Sequence, residues 1–172
     1  MIKTHIFLVG PMGAGKSSVG KSLAKTLNRP FFDVDSEIEK RSGADIQWIF
    51  DVDGEQGFRD REAKTLTEIV TESEGAIIAT GGGLILRKKN RKLLSTSGKV
   101  VYLSATKQQL VERMGRDKKR PLLQVEDRTK VIFELIEKRE PYYREVADLV
   151  FPSGHGALSR TVRNLAAALE KL

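Results

Sequence analysis

Short apolar runs separated by longer stretches of mixed polarity dominate the chain. The runs are three to five residues long and do not alternate with polar positions. This pattern is typical of strands that are covered on both faces. We therefore predict five buried strands, at Ile6–Val9, Phe31–Val34, Ala76–Thr80, Val100–Leu103 and Leu149–Phe151.

Helical periodicity fills the segments between these runs. Val19, Leu23 and Leu27 recur at every fourth position after the first run, and Thr106 with Gln109 has the spacing of a capping box at a helix start. Because strands alternate with helices along the chain, the fold class is predicted to be α/β. A parallel sheet would then lie between two helical layers in a single domain, residues 1–172.

Two segments interrupt this alternation of strands and helices. Residues 35–61 combine helical pieces with many charges, and residues 113–127 are dense in charge. Ligands bind at the carboxyl edge of the sheet in open α/β folds. We expect both segments to lie over that edge.

The composition of the chain indicates an anionic partner but does not identify which one. The 172 residues carry a net charge of +7, which suits a nucleotide, a nucleic acid or an acidic membrane surface. The absence of cysteine excludes disulfides and thiolate chemistry and fits a reducing compartment. No apolar run approaches the length of a membrane span, so we expect a soluble protein of the cytoplasm, with no membrane partner.

A phosphate-binding motif follows the first strand. Residues 10–17 read Gly-Pro-Met-Gly-Ala-Gly-Lys-Ser, a full match to G-x-x-x-x-G-K-[ST] placed between a strand and a helix. Backbone N–H groups of such a loop surround phosphate oxygens, Lys16 would reach the β- and γ-phosphates, and Ser17 would bind Mg²⁺. The motif predicts a nucleotide site, and a ligand-free glycine turn is the weaker interpretation.

The acidic partner of this loop is predicted after the second strand. Many P-loop proteins have an aspartate at the end of a later apolar strand, but here the third and fourth runs end in Thr-Gly and Ser. Asp33 and Asp35 follow the second run at strand spacing, which would place both on one side. One carboxylate can then serve the metal and the other an acceptor hydroxyl. The alternative is helix capping, with Ser36 and Glu39 as a capping box.

The order of six motifs resembles that of shikimate kinases. After the P-loop come five further motifs: Asp33-Val34-Asp35, Gly54-Glu55-x-x-Phe58-Arg59-x-x-Glu62, Thr80-Gly81-Gly82-Gly83, Arg120-Pro121-Leu122-Leu123 and Arg139-x-Pro141-x-Tyr143. The similarity runs from about residue 6 to residue 148. It implies the P-loop nucleoside-monophosphate-kinase-like fold with a five-stranded parallel sheet in the order 2-3-1-4-5, a shikimate-binding region at about 33–61 and a lid at about 112–124.

The same resemblance implies an activity and a set of site residues. The activity is ATP-dependent phosphorylation of the 3-hydroxyl of shikimate, with Mg²⁺, in the pathway to chorismate and the aromatic amino acids. The catalytic residues would be Lys16, Asp35 and Arg120. Shikimate would be held by Asp35, Arg59, Gly81, Gly82 and Arg139; ATP by Gly13, Ala14, Gly15, Lys16, Ser17, Ser18, Arg113, Arg120 and Pro152; and the metal by Ser17 and, through water, Asp33.

Elementary chemistry supports the acceptor residues independently. An arginine can grip a carboxylate through two parallel N–H bonds, which a lysine cannot, so Arg59 and Arg139 fit a substrate that carries a carboxylate. A run of glycines allows backbone N–H groups to approach substrate oxygens closely. The alternatives are an ordinary surface pair between Arg59 and Glu62, in which Glu62 could also orient the guanidinium, and a plain glycine turn.

Three other functions remain open, one of which is a nucleotide-gated regulatory module with no acceptor chemistry. Another small-molecule P-loop kinase, such as a gluconate kinase, would share the nucleotide loop, although the arginine pair and the glycine run argue against it. A nucleic-acid-binding ATPase would explain the charge of +7, but the cations cluster at the expected lid and no nucleic-acid-binding motif occurs. We therefore expect a monomer that has shikimate and ATP as its ligands and does not bind nucleic acid.

Overall fold

The computed structural model describes residues 4–114, 128–154 and 156–172, without the side chains of Met114 and Arg128. The described strands are β1 (His5–Val9), β2 (Phe31–Asp33), β3 (Ile77–Ala79), β4 (Gly98–Ser104) and β5 (Leu149–Pro152). The helices are α1 (Lys16–Leu27), α2 (Val34–Ser42), α3 (Ile46–Glu72), α4 (Lys88–Ser97), α5 (Lys107–Met114), α6 (Arg128–Val146) and α7 (Leu158–Glu170), with a 3₁₀ turn at Leu84–Leu86.

All five predicted strands form one parallel sheet, in the order β2-β3-β1-β4-β5. β1 lies at the centre, where Phe7 pairs with Ile78 on one side and Val100 on the other. The predicted fold class and strand order are therefore confirmed. Strand ends differ from the prediction by one or two residues, and β2 ends at Asp33 because the chain turns into α2 at the next residue.

Two apolar layers explain why the strands do not alternate in polarity. Phe7 and Val9 pack with Ile78 on one face of the sheet, against residues of α2, α3, α4 and α6. Ile6 and Leu8 pack on the opposite face against α1 and α7. Alternate residues of a strand point to opposite faces, so a strand between two helical layers is apolar at every position. The three-layer α/β/α architecture is thus confirmed.

Local sequence sets several element ends. Thr106 and Gln109 form the predicted capping box at the start of α5: the Gln109 N–H donates to Thr106 Oγ1 at 3.1 Å and the Thr106 N–H to Gln109 Oε1 at 2.9 Å. Within α3, Gly54 has φ of 72° and interrupts the helical backbone. Because residues other than glycine rarely adopt this φ, the kink depends on Gly54. None of the helices in the described part of the chain has the length and hydropathy needed to cross a lipid bilayer.

Candidate active site

The phosphate loop curls around the start of α1, as its motif predicts. Gly13 and Gly15 have positive φ, and Gly15 is the residue that precedes the helix. The Lys16 side chain is buried and its Nζ donates to the carbonyl oxygens of Gly10 at 2.7 Å and Pro11 at 2.8 Å. Ser17 and Ser18 are exposed in the first turn of α1. An ammonium group and a helix N-terminus therefore lie at one loop, which favours an anion there.

Ser17 lies against the first of the two predicted aspartates. Its hydroxyl donates to Asp33 Oδ2, while Asp33 Oδ1 accepts from the Ser36 N–H at 3.2 Å and so caps α2. Hydroxyl and carboxylate oxygens are the donors that Mg²⁺ takes, usually with one or two carboxylates completed by phosphate and water. The pair therefore fits Mg²⁺. In the described part of the chain, no group of three or more His, Cys, Asp or Glu side chains could hold a metal ion.

The predicted strand spacing of Asp33 and Asp35 is wrong. β2 ends at Asp33, and Asp35 lies in the first turn of α2 because Asp33 caps that helix and ends the extended backbone. The alternative capping box of Ser36 and Glu39 is also wrong. The cap is Asp33, and Glu39 Oε2 instead accepts from the Ile46 N–H at 3.3 Å.

A cleft beside the phosphate loop brings together the residues expected to bind the acceptor. It encloses about 420 Å³ of space, including its open mouth. All five expected residues line it, together with apolar side chains and Glu62: Met12, Asp35, Ile46, Phe50, Phe58, Arg59, Glu62, Gly81, Gly82, Gly83 and Arg139. Since Met12 belongs to the phosphate loop, the cleft opens beside the nucleotide site.

Arg59 and Glu62 form a buried ion pair rather than a surface pair. Arg59 Nη1 lies 2.9 Å from Glu62 Oε1, and the two residues are 7% and 0% exposed. Burial raises the pKa of Glu62 to about 7, although the nearby Arg59 guanidinium opposes this rise. The i, i+3 spacing identified the pair, but it could not reveal that Glu62 itself faces the cleft. Glu62 Oε2 and Arg59 Nε have no hydrogen-bond partner among the described residues.

The glycine run makes room for the charged groups of the cleft. A Cβ at Gly83 would lie 2.6 Å from Arg59 Cζ, too close for any side chain. A Cβ at Gly81 would lie 2.9 Å from Asp35 Oδ1, and one at Gly82 would lie 3.3 Å from Arg139 Nη1. The run is therefore more than a tight turn, because four charged side chains pack directly on it, those of Asp35, Arg59, Glu62 and Arg139. Gly83 was not among the expected substrate residues, since its contact with Arg59 arises from packing between distant elements.

Arg139, on α6, also lines the cleft. It is only 5% exposed, and burial lowers the pKa of its guanidinium. Arg139 and Arg59 lie 80 positions apart in the chain but line one cavity. Two guanidinium groups in a single cleft form a strong anion-binding arrangement.

Arg113 connects the phosphate loop with the end of β5. Its Nη1 donates to the Gly13 carbonyl at 2.8 Å and to Ser153 Oγ at 3.5 Å. Pro152, the last residue of β5, is exposed next to Ser153. Of the expected adenine-side residues, Arg113 thus contacts the phosphate loop, and Pro152 precedes the Ser153 that Arg113 also contacts. Arg120 and residues 115–124 of the expected lid lie outside the described residues.

Comparisons with known proteins identify the family of the chain. The shikimate kinase family model matches residues 12–170. A shikimate kinase of Francisella tularensis subsp. holarctica is 49% identical over 170 residues, covering 98% of this chain and 97% of that protein. The solved structure of shikimate kinase from Acinetobacter baumannii in complex with shikimate has a TM-score of 0.95 and 43% identity, over 98% of this chain and 94% of that one.

A gluconokinase from Sinorhizobium meliloti 1021 is also structurally similar, with a TM-score of 0.64 over 99% of this chain and 93% of that one. Its sequence identity is 21%, so the likeness shows a shared fold alone. The family match spans 159 of the 172 residues, and the identity to the Francisella protein extends over nearly the full chain. By the phosphate loop, the arginine-lined cleft and these full-length matches, the chain belongs to the shikimate kinase family.

Proposed function

We propose that this chain transfers the γ-phosphoryl group of ATP to the 3-hydroxyl of shikimate in the cleft beside the phosphate loop. The observation that carries the proposal is the pair of buried guanidinium groups, Arg59 and Arg139, in one cleft with the phosphate-loop residue Met12. A carboxylate-bearing acceptor suits the two arginines, and the acceptor hydroxyl would then lie toward the nucleotide. The products are shikimate 3-phosphate and ADP, in the pathway to chorismate and the aromatic amino acids.

The acceptor is held by charge at one end and by its hydroxyls at the other. Arg59 and Arg139 bind the carboxylate, and Gly81 and Gly82 allow the ring to approach the backbone. Asp35 lies within the same cleft, close to Gly81. Its carboxylate is the group that receives the proton of the reacting hydroxyl. This division follows ordinary chemistry, since guanidinium groups bind carboxylates and a carboxylate accepts protons.

The donor side uses the phosphate loop and its neighbours. Backbone N–H groups from Gly13 to Ser18 surround the phosphates, including those of Ala14 and Gly15. Lys16 exchanges its carbonyl partners for β- and γ-phosphate oxygens. Arg113 lies along the adenine, with Pro152 on the other side. Ser17, and Asp33 through water, would hold Mg²⁺, which would supply positive charge to offset that of the phosphates.

The transfer exchanges one bond to the γ-phosphorus for another and moves one proton. The acceptor oxygen bonds to the γ-phosphorus as the bond from that phosphorus to the β,γ-bridging oxygen breaks, and the hydroxyl proton passes to Asp35. ADP leaves with the bridging oxygen. Lys16 and Arg120 stabilise the negative charge on the transferring group, Arg120 from the lid at about 112–124. The acceptor region at about 33–61 positions the substrate, so the chain works as one kinase domain.

The identity of the acceptor rests on the cleft and on the relatives together. The Acinetobacter structure is described as a complex with shikimate, and it is 43% identical to this chain. The gluconokinase shares the fold alone, which leaves a gluconate acceptor with less support. The positively charged side chains, which also suit a nucleic-acid partner, bind phosphate and carboxylate groups in this proposal. We also propose a monomer, without a nucleic-acid partner, in the cytoplasm, where ATP is available and a chain without cysteine fits the reducing conditions.

A coupled assay of ADP release tests the proposal. ADP release with ATP and Mg²⁺ should depend on shikimate and remain at background with gluconate or with single-stranded nucleic acid. An analogue with a hydroxymethyl group in place of the carboxylate should react with a much higher KM, because the arginines lose their partner. Turnover of gluconate at a comparable rate, or of the analogue at an unchanged KM, would refute the assignment of the acceptor.

A further inference from the structure

Tyr143 lies directly behind the substrate cleft, one helical turn beyond Arg139 on α6. It is 1% exposed, and its hydroxyl donates to the Gly82 carbonyl at 2.5 Å. The Arg139 guanidinium lies beside the same hydroxyl and interacts with it electrostatically. One phenol group therefore connects the glycine run to one of the two buried guanidinium groups of the cleft.

The position of the Tyr143 ring is fixed by its neighbours. It stacks on Tyr102 at 5.2 Å between ring centroids, with an angle of 30° between the planes. The Tyr102 hydroxyl in turn donates to Glu140 Oε2. Burial raises the pKa of Tyr143 well above its ordinary value, so the hydroxyl keeps the proton that it donates to Gly82. The stack therefore presents the hydroxyl at one place and in one protonation state.

We propose that Tyr143 is a positioning residue for substrate binding, whose hydroxyl holds the Arg139 guanidinium against Gly82 in the orientation that receives the acceptor carboxylate. The inference rests on the proposed function. Arg139 Nη1 lies close to Gly82, within 3.3 Å of the position that a Cβ would take. A guanidinium that is held at one end keeps its other N–H groups aligned for two parallel bonds to a carboxylate.

The hydroxyl also has a role that ring packing cannot supply. Without it, the Gly82 carbonyl would lose its hydrogen-bond donor and the Arg139 guanidinium would lose a polar neighbour. Arg139 Nε already has no hydrogen-bond partner among the described residues. A guanidinium with fewer fixed contacts samples more orientations, so part of the binding free energy of the carboxylate would be spent on ordering it.

The test compares Tyr143→Phe with Tyr102→Phe. Both variants keep an aromatic ring in the same stack and remove one buried hydroxyl, but only the first removes the contacts with Gly82 and Arg139. For Tyr143→Phe we expect the KM for shikimate to rise about 10- to 100-fold, the range for a hydrogen bond to a charged group. The KM of this variant for ATP should stay within about twofold of wild type. The KM of Tyr102→Phe for shikimate should also stay within about twofold of wild type.

The hydroxymethyl analogue separates positioning from a general loss of structure. If Tyr143 acts through Arg139 and the carboxylate, the analogue should have nearly the same KM with wild type and with Tyr143→Phe. An unchanged KM for shikimate in Tyr143→Phe, or an equal rise for shikimate and the analogue, would overturn the inference. Tyr143→Met, which also lacks the hydroxyl and packs adaptably, repeats the measurement if the Phe variant is recovered unfolded. Failure of the proposed function would be visible separately, as wild-type ADP release that does not depend on shikimate.

Discussion

Glu62 makes the stability of this protein depend on pH in a direction that the structure determines. Its carboxyl group is fully buried beside Arg59, and burial raises its pKa from 4.5 to about 7. Between these two values the folded protein holds a proton that the unfolded chain has released. Folding therefore takes up a proton in this range, and raising the pH opposes it. The contribution of Glu62 is fully present below pH 4.5 and is lost as the pH rises to about 7.

The size of this change in the free energy of unfolding follows from the same two pKa values. Each pKa unit corresponds to about 1.4 kcal/mol, so the change amounts to about 3 kcal/mol at pH values above 7. A domain of this type is stable by about 5–15 kcal/mol, so this is a substantial part. Glu62→Gln has nearly the same shape but does not titrate. The free energy of unfolding of wild type, relative to this variant, should fall by about 3 kcal/mol from pH 4.5 to pH 7.

Urea unfolding of wild type and Glu62→Gln across this pH range measures the difference in their free energies of unfolding. The contributions of the other titrating groups are the same in both proteins and cancel. Glu55→Gln is the matched control: Glu55 lies on the same helix and 3.5 Å from the same guanidinium, but its side chain is 52% exposed. This variant removes a carboxylate beside the same guanidinium without removing a buried group. Parallel curves for wild type and Glu62→Gln would show that Glu62 binds its proton equally well in the folded and unfolded states, which would refute the reasoning.

Three further predictions concern the reaction. Asp35→Asn keeps the size of the side chain but cannot accept a proton, so kcat should fall by at least about 10²-fold while ATP affinity is kept; near-normal turnover would leave Asp35 without a role as the proton acceptor. Arg59→Lys keeps the charge but loses the bidentate geometry, and it should weaken shikimate binding, measured by titration, by about 1.5–3 kcal/mol with little change for ATP. Gly83→Ala should displace the Arg59 guanidinium, since the new Cβ would lie 2.6 Å from Cζ. The KM for shikimate should therefore rise about tenfold or more, and an unchanged KM would place the clamp elsewhere.

The sequence alone determined the elements of this fold and its nucleotide loop. Unbroken apolar runs predicted five strands because residues on both faces of each strand meet a helical layer, as Ile6 and Phe7 do on opposite sides of β1. Gly10–Ser17 is a local motif whose loop and helix start are encoded within eight residues. The capping box at Thr106 was equally local, since both partners lie within one turn.

Only the tertiary structure decided which residues of distant segments contact one another in the cleft. The sequence named Arg59, Gly81, Gly82 and Arg139 through a resemblance, but only the packing of α3 and α6 around the glycine run places them in one cleft. The strand spacing of Asp33 and Asp35 failed because a helix cap outweighs a two-residue periodicity. The burial of Glu62 and its pairing with Arg59 arise because neighbouring elements exclude water from both side chains. Residue spacing does not reveal which side chains lose contact with water, so the raised pKa of Glu62 could not be predicted from the sequence.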